Sequence, residues 1–442
     1  MGMGYPEEIL EILEREGIKP GDRVRVVKDG VEYVGILMPR IELGDRESLI
    51  IKQDNGYNVG VKVTKDTVIE RVGEGRKLEV FPARKVEENP ELPSITIFST
   101  GGTIAARVSY LTGGVIWSMT PEEIFFTVPE LQEIVNLKET KILFRVFSEN
   151  MIPKYWRIMA EEAARALKSS DGLIIMHGTD TLHYTGAALS FMLKNLTKPV
   201  VLVGAQRSTD RGSADGPMNL ICSAHVACSD IAEVCIVMHA NMSDDYCLIN
   251  RGCRTRKMHT SRRDAFRPIN SHPIGKVWMD GRIEIIDESY RRRGEGEVEA
   301  DTRFEERVAL IKAYPGARPD IIDYYVDKGY RGIVIEATGL GHVPMGEIDW
   351  YPSIKRAIEE GVAVVFAPQT LYGRLHPLVY EPGRKLYQLG VIYAGDMLPE
   401  VAYVKLGFVL GHTRDMEEVR EMMLRNIAGE IGERLEYDTY LY

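Results

Sequence analysis

The sequence predicts an α/β protein, with a two-domain body built on parallel sheets and a small all-β domain in front of it. Three observations lead there. From Ser94 onward, near-continuous apolar runs such as Ile95 to Ser99 and Gly172 to Met176 alternate with segments of helical period. Strands of that kind are buried on both faces, as in a parallel sheet covered by helices. Nearer the N-terminus, apolar residues instead alternate with polar ones about an Asp29-Gly30 turn, the signature of an antiparallel hairpin. Finally, 442 residues exceed what one core organises, so two or three domains are expected.

Composition narrows the class. The apolar fraction of 44% and charged fraction of 27% are those of a globular protein, and no apolar run approaches the roughly 20 residues that span a bilayer. Met1 to Glu8 lacks the basic-then-apolar layout of a secretory signal, so a cytoplasmic location is expected. A net charge of −10 argues against the chain gripping a polyanion unaided. Basic residues gather locally in Arg251 to Arg267 and in Arg291-Arg292-Arg293, which read as solvated surface or linker. The 5 cysteines (Cys222, Cys228, Cys235, Cys247, Cys253) read as reduced core thiols. Cys247 and Cys253 with His259 and His272 match none of the tight Cys-x-x-Cys spacings of a zinc site.

Taken in order, Pro6 to Glu16 carries Ile9, Leu10 and Leu13 among acids, a short amphipathic helix ended by Gly17. Arg23 to Val27 and Val31 to Leu37 form the hairpin, and Ser48 to Lys52 and Tyr57 to Val63 continue the alternation. Residues 1–80 are therefore expected to be an SH3-like β-barrel. Charges and prolines between Lys77 and Pro93 mark an exposed linker, assigned to 81–93. The first α/β domain, 94–286, has strands at Ile95 to Ser99, Gly172 to Met176, Pro199 to Val203 and Val234 to His239. Its helices are expected at Arg157 to Lys168, Tyr184 to Lys194 and Asn219 to Ala227. A charged stretch, 287–306, reads as a second linker. The second α/β domain, 307–442, has strands at Val308 to Ile311, Gly332 to Glu336 and Val362 to Phe366, helices at Pro319 to Lys328 and Ile354 to Glu359, and a closing amphipathic helix from Thr413 to Ile431.

Chemistry gathers where strands end. The first strand runs into Thr100-Gly101-Gly102-Thr103, and paired glycines let backbone approach a ligand with no Cβ in the way. Ligands of open α/β sheets bind at that carboxyl edge, so Thr100 and Thr103 are both placed for chemistry. The second strand ends in His177-Gly178-Thr179-Asp180-Thr181, which parallel pairing would bring to the same rim. Thr179 and Asp180 are also good helix caps. A threonine hydroxyl attacks only when a base takes its proton. His177 and His183 read as structural histidines, and Lys257, within a run of cations, reads on composition as a surface lysine.

The motifs Thr100-Gly101-Gly102-Thr103-Ile104-Ala105 and His177-Gly178-Thr179-Asp180-Thr181 resemble the two signatures of the L-asparaginase/glutaminase family. Gly204-Ala205-Gln206-Arg207 with Ser213 to Leu220 is similar to a third block of that family, and the resemblance runs from about residue 94 to the C-terminus. It implies an asparaginase-like fold for both α/β domains, with Thr103 as nucleophile, Tyr110 as flexible-loop tyrosine, and Thr179, Asp180 and Lys257 as second hydroxyl, carboxylate and base. It places Ser148 at the substrate's α-carboxylate, while Glu149 stands where bacterial relatives carry glutamine. Backbone N–H groups near Gly102 and Gly178 are the candidate oxyanion donors.

A stand-alone asparaginase has no need of a barrel. The combination resembles the archaeal Glu-tRNA(Gln) amidotransferase D subunits, whose asparaginase-like body releases ammonia for a partner E subunit. That resemblance implies no cofactor in this chain, ATP and Mg at the partner, tRNA(Gln) held mainly by the partner, and self-association through the body. The absence of a Gly-x-x-x-x-Gly-Lys loop agrees with ATP being handled elsewhere. The alternative is a stand-alone cytosolic L-asparaginase with an accessory barrel.

Overall fold

In the computed structural model the described residues are 5–39, 47–54, 57–74, 89–108, 115–117, 123, 128–208 and 212–442. The N-terminal helix α1 (Glu7–Arg15) buries Ile9 and Leu13, the residues its 3.6-residue period sets on one face. Five strands follow, β1 (Arg23–Lys28), β2 (Val31–Leu37), β3 (Ser48–Gln53), β4 (Asn58–Lys62) and β5 (Val68–Gly73). They form one antiparallel sheet in the order β4-β3-β2-β1-β5, a small barrel-like domain. Asp29 and Gly30 both take positive φ at the β1–β2 turn, the conformation that favours Asp-Gly there. Strand β5 was not expected from the sequence, because only its Ile69 points inward and one apolar residue makes no alternating pattern. Tyr57 of this domain rests against Gly212 of the body, where a Cβ would meet its ring at 2.5 Å. Most of the expected 81–93 linker lies outside the described residues.

The body begins with β6 (Ser94–Ser99), the short hairpin β7 (Ala106–Val108) and β8 (Val115–Trp117), α2 (Leu131–Ile134) and β9 (Asn136–Ile142). Next come α3 (Pro153–Leu167), β10 (Gly172–Met176), α4 (Leu182–Met192), β11 (Leu193–Lys194), β12 (Val200–Val203), α5 (Gly216–Ala227) and β13 (Val234–His239). The chain then forms β14 (Cys247–Arg251), β15 (Thr255–Lys257), β16 (Phe266–Pro268), β17 (Gly275–Val277), β18 (Ile283–Ile285) and β19 (Glu299–Ala300). The main sheet has the order β18-β17-β14-β13-β12-β10-β6-β9. From β13 to β9 its neighbours run parallel, as expected; β14, β17 and β18 extend it antiparallel, so the sheet is mixed. Strand β9 was not anticipated because its polar residues, suited to a half-exposed edge, break the apolar signal.

Register decides what the sheet can do. Ser99 pairs with Met176, and Met176 with Val203, so three strands end level. The loops that follow them share one rim.

The 287–306 stretch lies strapped to the body. Its β19 pairs with β11, and the Arg293 guanidinium donates to the Ser229 and Asp171 carbonyls.

The second sheet, β20 (Val308–Lys312), β21 (Gly332–Ala337), β22 (Ala363–Pro368) and β23 (Ile392–Tyr393), is parallel throughout in that order. Helices α6 (Asp320–Asp327), α7 (Tyr351–Glu359), α8 (Glu381–Leu389), α9 (Pro399–Leu410) and α10 (Met416–Leu424) complete it. Helix α9 is apolar on nearly every side and buried along most of its length, sharing one core with α4 of the first domain. The closing helix is shorter than expected. Asp415 caps its start by accepting from the Glu418 N–H, and it ends at Leu424, where the Met423 and Arg425 carbonyls turn to accept from the buried Lys405 ammonium.

Candidate active site

Three loops meet tightly at the level strand ends. Gly101 and Gly102 take φ of +108° and +85°, which only glycine adopts without strain. A Cβ on Gly102 would lie 2.5 Å from the Gly178 nitrogen, and one on Gly178 would lie 2.8 Å from Ser148 Oγ. The first and second motifs are thus stacked backbone on backbone, and the second lies directly on the Ser148 side chain. Of the two threonines in the first motif, Thr100 is buried and its N–H and hydroxyl both donate to the Met176 carbonyl, so it serves the sheet. Thr103 is half-buried and opens a single 3-10 turn at the rim.

The second motif does not cap its helix. α4 begins behind Thr181 with no side-chain cap, and the Thr179 and Asp180 side chains face Lys257 instead. The Lys257 Nζ donates to Thr179 Oγ1 at 2.8 Å and to Asp180 Oδ1 at 2.7 Å. Lys257 is only 9% exposed while Asp180 is 65% exposed, which corrects the expectation of a surface lysine and leaves the carboxylate at the mouth. Ser148 ties the arrangement together: its Oγ accepts from the Asp180 N–H at 3.2 Å, and its carbonyl accepts from the Thr181 hydroxyl at 2.6 Å. Glu149 follows it, exposed. Tyr110 lies outside the described residues.

The histidines are structural, as expected. His177 donates from Nδ1 to the Gly178 carbonyl and accepts at Nε2 from the Thr185 hydroxyl, which in turn accepts from the Trp156 indole N–H. Burial holds the His177 pKa down at about 4. Burial, reinforced by nearby Arg256 and Lys257, holds that of His183 at about 3. The third block forms the wall behind Thr179. Asp215 accepts from the Gln206 and Arg207 N–H groups, and Asn219 donates to Asp215 and to the Gly204 carbonyl. At Gly204 a Cβ would lie 2.8 Å from the Thr179 methyl.

The basic stretch around Lys257 is not the solvated surface expected. Arg254 pairs with Asp396 at 2.9 Å, both buried; Arg256 pairs with Glu400; Arg263 reaches Asp244; Arg262 and Arg267 share Asp264. The guanidiniums of Arg254, Arg256 and Arg263 are fold contacts, while Arg262 lies in the exposed stretch 258–262, the part that is solvated as expected. Glu400 and Asp396 went unnoticed in the sequence, although a carboxylate inside the apolar run Leu398 to Val404 was the available signal. The zinc grouping does not assemble: the Cys247 thiol meets Asn219, the Cys253 thiol meets the Ala428 carbonyl, and His272 lies beside Glu436 and Asp438. All the cysteines are free thiols, and burial pushes Cys228 and Cys253 up to about 12. Among the described residues no helix is long and apolar enough to cross a membrane.

The chain matches three family profiles: Asparaginase, N-terminal, over 94–291; Glutaminase/Asparaginase C-terminal domain, over 307–423; and GatD N-terminal domain, over 18–72. It is 55% identical over 439 residues to the glutamyl-tRNA(Gln) amidotransferase D subunit of Pyrococcus furiosus, an alignment covering 98% of this chain and 99% of the relative. The D subunit of Thermococcus kodakarensis is 54% identical over 440 residues, with 98% and 99% covered. Among solved structures, the thermostable L-asparaginase from Thermococcus kodakarensis superposes with a TM-score of 0.70 at 31% identity, covering 77% of this chain and 100% of its own. L-asparaginase I from Vibrio cholerae gives 0.67 at 29% identity, with 77% and 99% covered.

Proposed function

The chain belongs to the D-subunit family of the glutamyl-tRNA(Gln) amidotransferases, and from that premise we propose that its level strand ends form a glutamine amidohydrolase supplying ammonia to a partner subunit. The observation that carries the reading is Lys257, held at once by the Thr179 hydroxyl and the Asp180 carboxylate beside the loop of Thr103.

In this mechanism Thr103 Oγ attacks the side-chain amide carbon of glutamine, and its proton passes through the Thr179 hydroxyl to the Lys257 amine. The backbone N–H groups near Gly102 and Gly178 receive the developing oxyanion, each good donor contributing about 3 kcal/mol. The Lys257 ammonium returns the proton to the departing nitrogen, which leaves as ammonia. Water then attacks the glutamyl ester while the same amine accepts and returns its proton, freeing glutamate and Thr103. Ser148 takes the substrate's α-carboxylate, Glu149 lies beside it, and Tyr110 closes over the site.

Ammonia passes to an E subunit, which uses ATP and Mg to activate the glutamate of Glu-tRNA(Gln) and holds most of the tRNA; this chain itself needs no cofactor. The body self-associates and acts in the cytoplasm. Full-length similarity that includes the barrel favours this reading over a stand-alone asparaginase, since the matched Thermococcus kodakarensis asparaginase covers 77% of this chain while the D subunits cover 98%. Thr103→Ala, Thr179→Ala, Asp180→Ala and Lys257→Ala are each expected to abolish glutamine-dependent amidation while free ammonia still supports it. Loss of the ammonia-driven reaction in all four overturns the division of labour, and rapid partner-independent hydrolysis of asparagine overturns the substrate.

A further inference from the structure

A carboxylate from the second domain sits behind the catalytic lysine without touching the rim. Glu400, in the first turn of α9, is 1% exposed. Burying a carboxylate is unfavourable unless it is paired, and one cation pairs with this one while a neutral imidazole packs beside it. Arg256 Nη1 donates to both its oxygens at 2.8 and 2.7 Å, and His183 Nε2 approaches to 3.7 Å.

Those partners belong to the two elements that build the site. Arg256 immediately precedes Lys257 on β15, and side chains alternate along a strand, so Arg256 faces α9 while Lys257 faces Thr179. His183 lies in the first turn of α4, three residues after Asp180. One buried carboxylate therefore grips the segment delivering Lys257 and packs against the segment delivering Thr179 and Asp180. Two residues back along the chain, Arg254 repeats the anchorage on Asp396 at 2.9 Å.

We propose that Glu400 is a positioning residue of the amidohydrolase: through its grip on Arg256, with His183 packed alongside, it sets the separation of Lys257 from Thr179 and Asp180. This rests on Lys257 being the base. A displaced lysine would still let glutamine bind, while proton transfer, which demands hydrogen-bond geometry, would slow.

The test is steady-state ammonia release from glutamine by the full chain with its partner, per mole of folded protein. Glu400→Gln, which keeps shape and removes charge, is expected to lower kcat about tenfold with KM within about twofold. Arg256→Lys keeps the cation but shortens its reach to Glu400, shifts kcat in the same direction, and decides the matter if Glu400→Gln does not fold. The double variant should lose no more than the larger single loss, because both act through one contact. An unchanged kcat, a raised KM with kcat retained, or independent losses in the double variant each overturn the proposal. Lys257→Ala separates the two ideas. Activity there within about tenfold of wild type defeats the base assignment itself, whereas a Lys257→Ala slowed about 10³-fold or more beside a fully active Glu400→Gln defeats only the positioning role.

Discussion

Two lysines in this molecule make ion pairs out of the same atoms and differ in what is left over. Lys405 is wholly buried, and its ammonium donates to the Met423 carbonyl, the Arg425 carbonyl and the equally buried Glu430 carboxylate. An ammonium has three donors, and all are used. Lys257 is nearly as buried, yet its partners are one hydroxyl and one oxygen of an exposed carboxylate. The first lysine is saturated by buried acceptors, away from any face a substrate could reach. The second faces a group that can relay a proton. In the proposed mechanism it is this open, hydroxyl-facing arrangement, not burial, that sets Lys257 apart from Lys405.

The largest expected effect tests that contrast head on. Lys257→Ala should lower glutamine hydrolysis by about 10³ to 10⁴ while leaving the melting temperature within a few degrees, read by ammonia release and calorimetry on one preparation. Lys405→Met should do the reverse. It strands the Glu430 carboxylate, and breaking a buried pair costs about 3–5 kcal/mol, so the melting transition falls steeply while kcat of the folded enzyme holds. If Lys405→Met loses kcat in the folded state, the contrast breaks.

Acid sharpens it next. His177 and His183 have folded pKa values of about 4 and about 3 against an ordinary 6.5, so the unfolded chain takes up protons that the folded one refuses. Their contribution to stability is complete above pH 6.5 and is lost as pH falls toward 4, at up to about 1.4 kcal/mol per pH unit for each histidine. Denaturant midpoints from pH 7 to 4.5 should show this slope, and His183→Gln should flatten it. The smallest effect separates the two threonines of the first motif: Thr100→Val should cost about 1 kcal/mol of stability with kcat retained, whereas Thr103→Val should be inactive.

Much of this was legible in the residues. The strands that end at Ser99, Met176 and Val203 announced themselves because parallel strands buried on both faces leave unbroken apolar runs. The pairing of Gly102 with Thr103 and of Gly178 with Thr179 pointed to the rim. Edges were harder: β9 and β5 carry too few inward residues to leave a pattern, and the antiparallel strands beyond β13 are short. Lys257 itself was invisible to composition. Its neighbours Arg254 and Arg256 look like a solvated basic patch until the second domain supplies Asp396 and Glu400, residues distant in sequence that local periodicity cannot join.

The most direct test of the central claim is rapid acid quenching of the wild-type protein and Thr103→Ala during glutamine turnover, followed by mass analysis of their peptides. A glutamyl group on the peptide carrying Thr103, absent from the variant, is the predicted result. A glutamyl group on another residue, or undiminished ammonia release from Thr103→Ala, would contradict it.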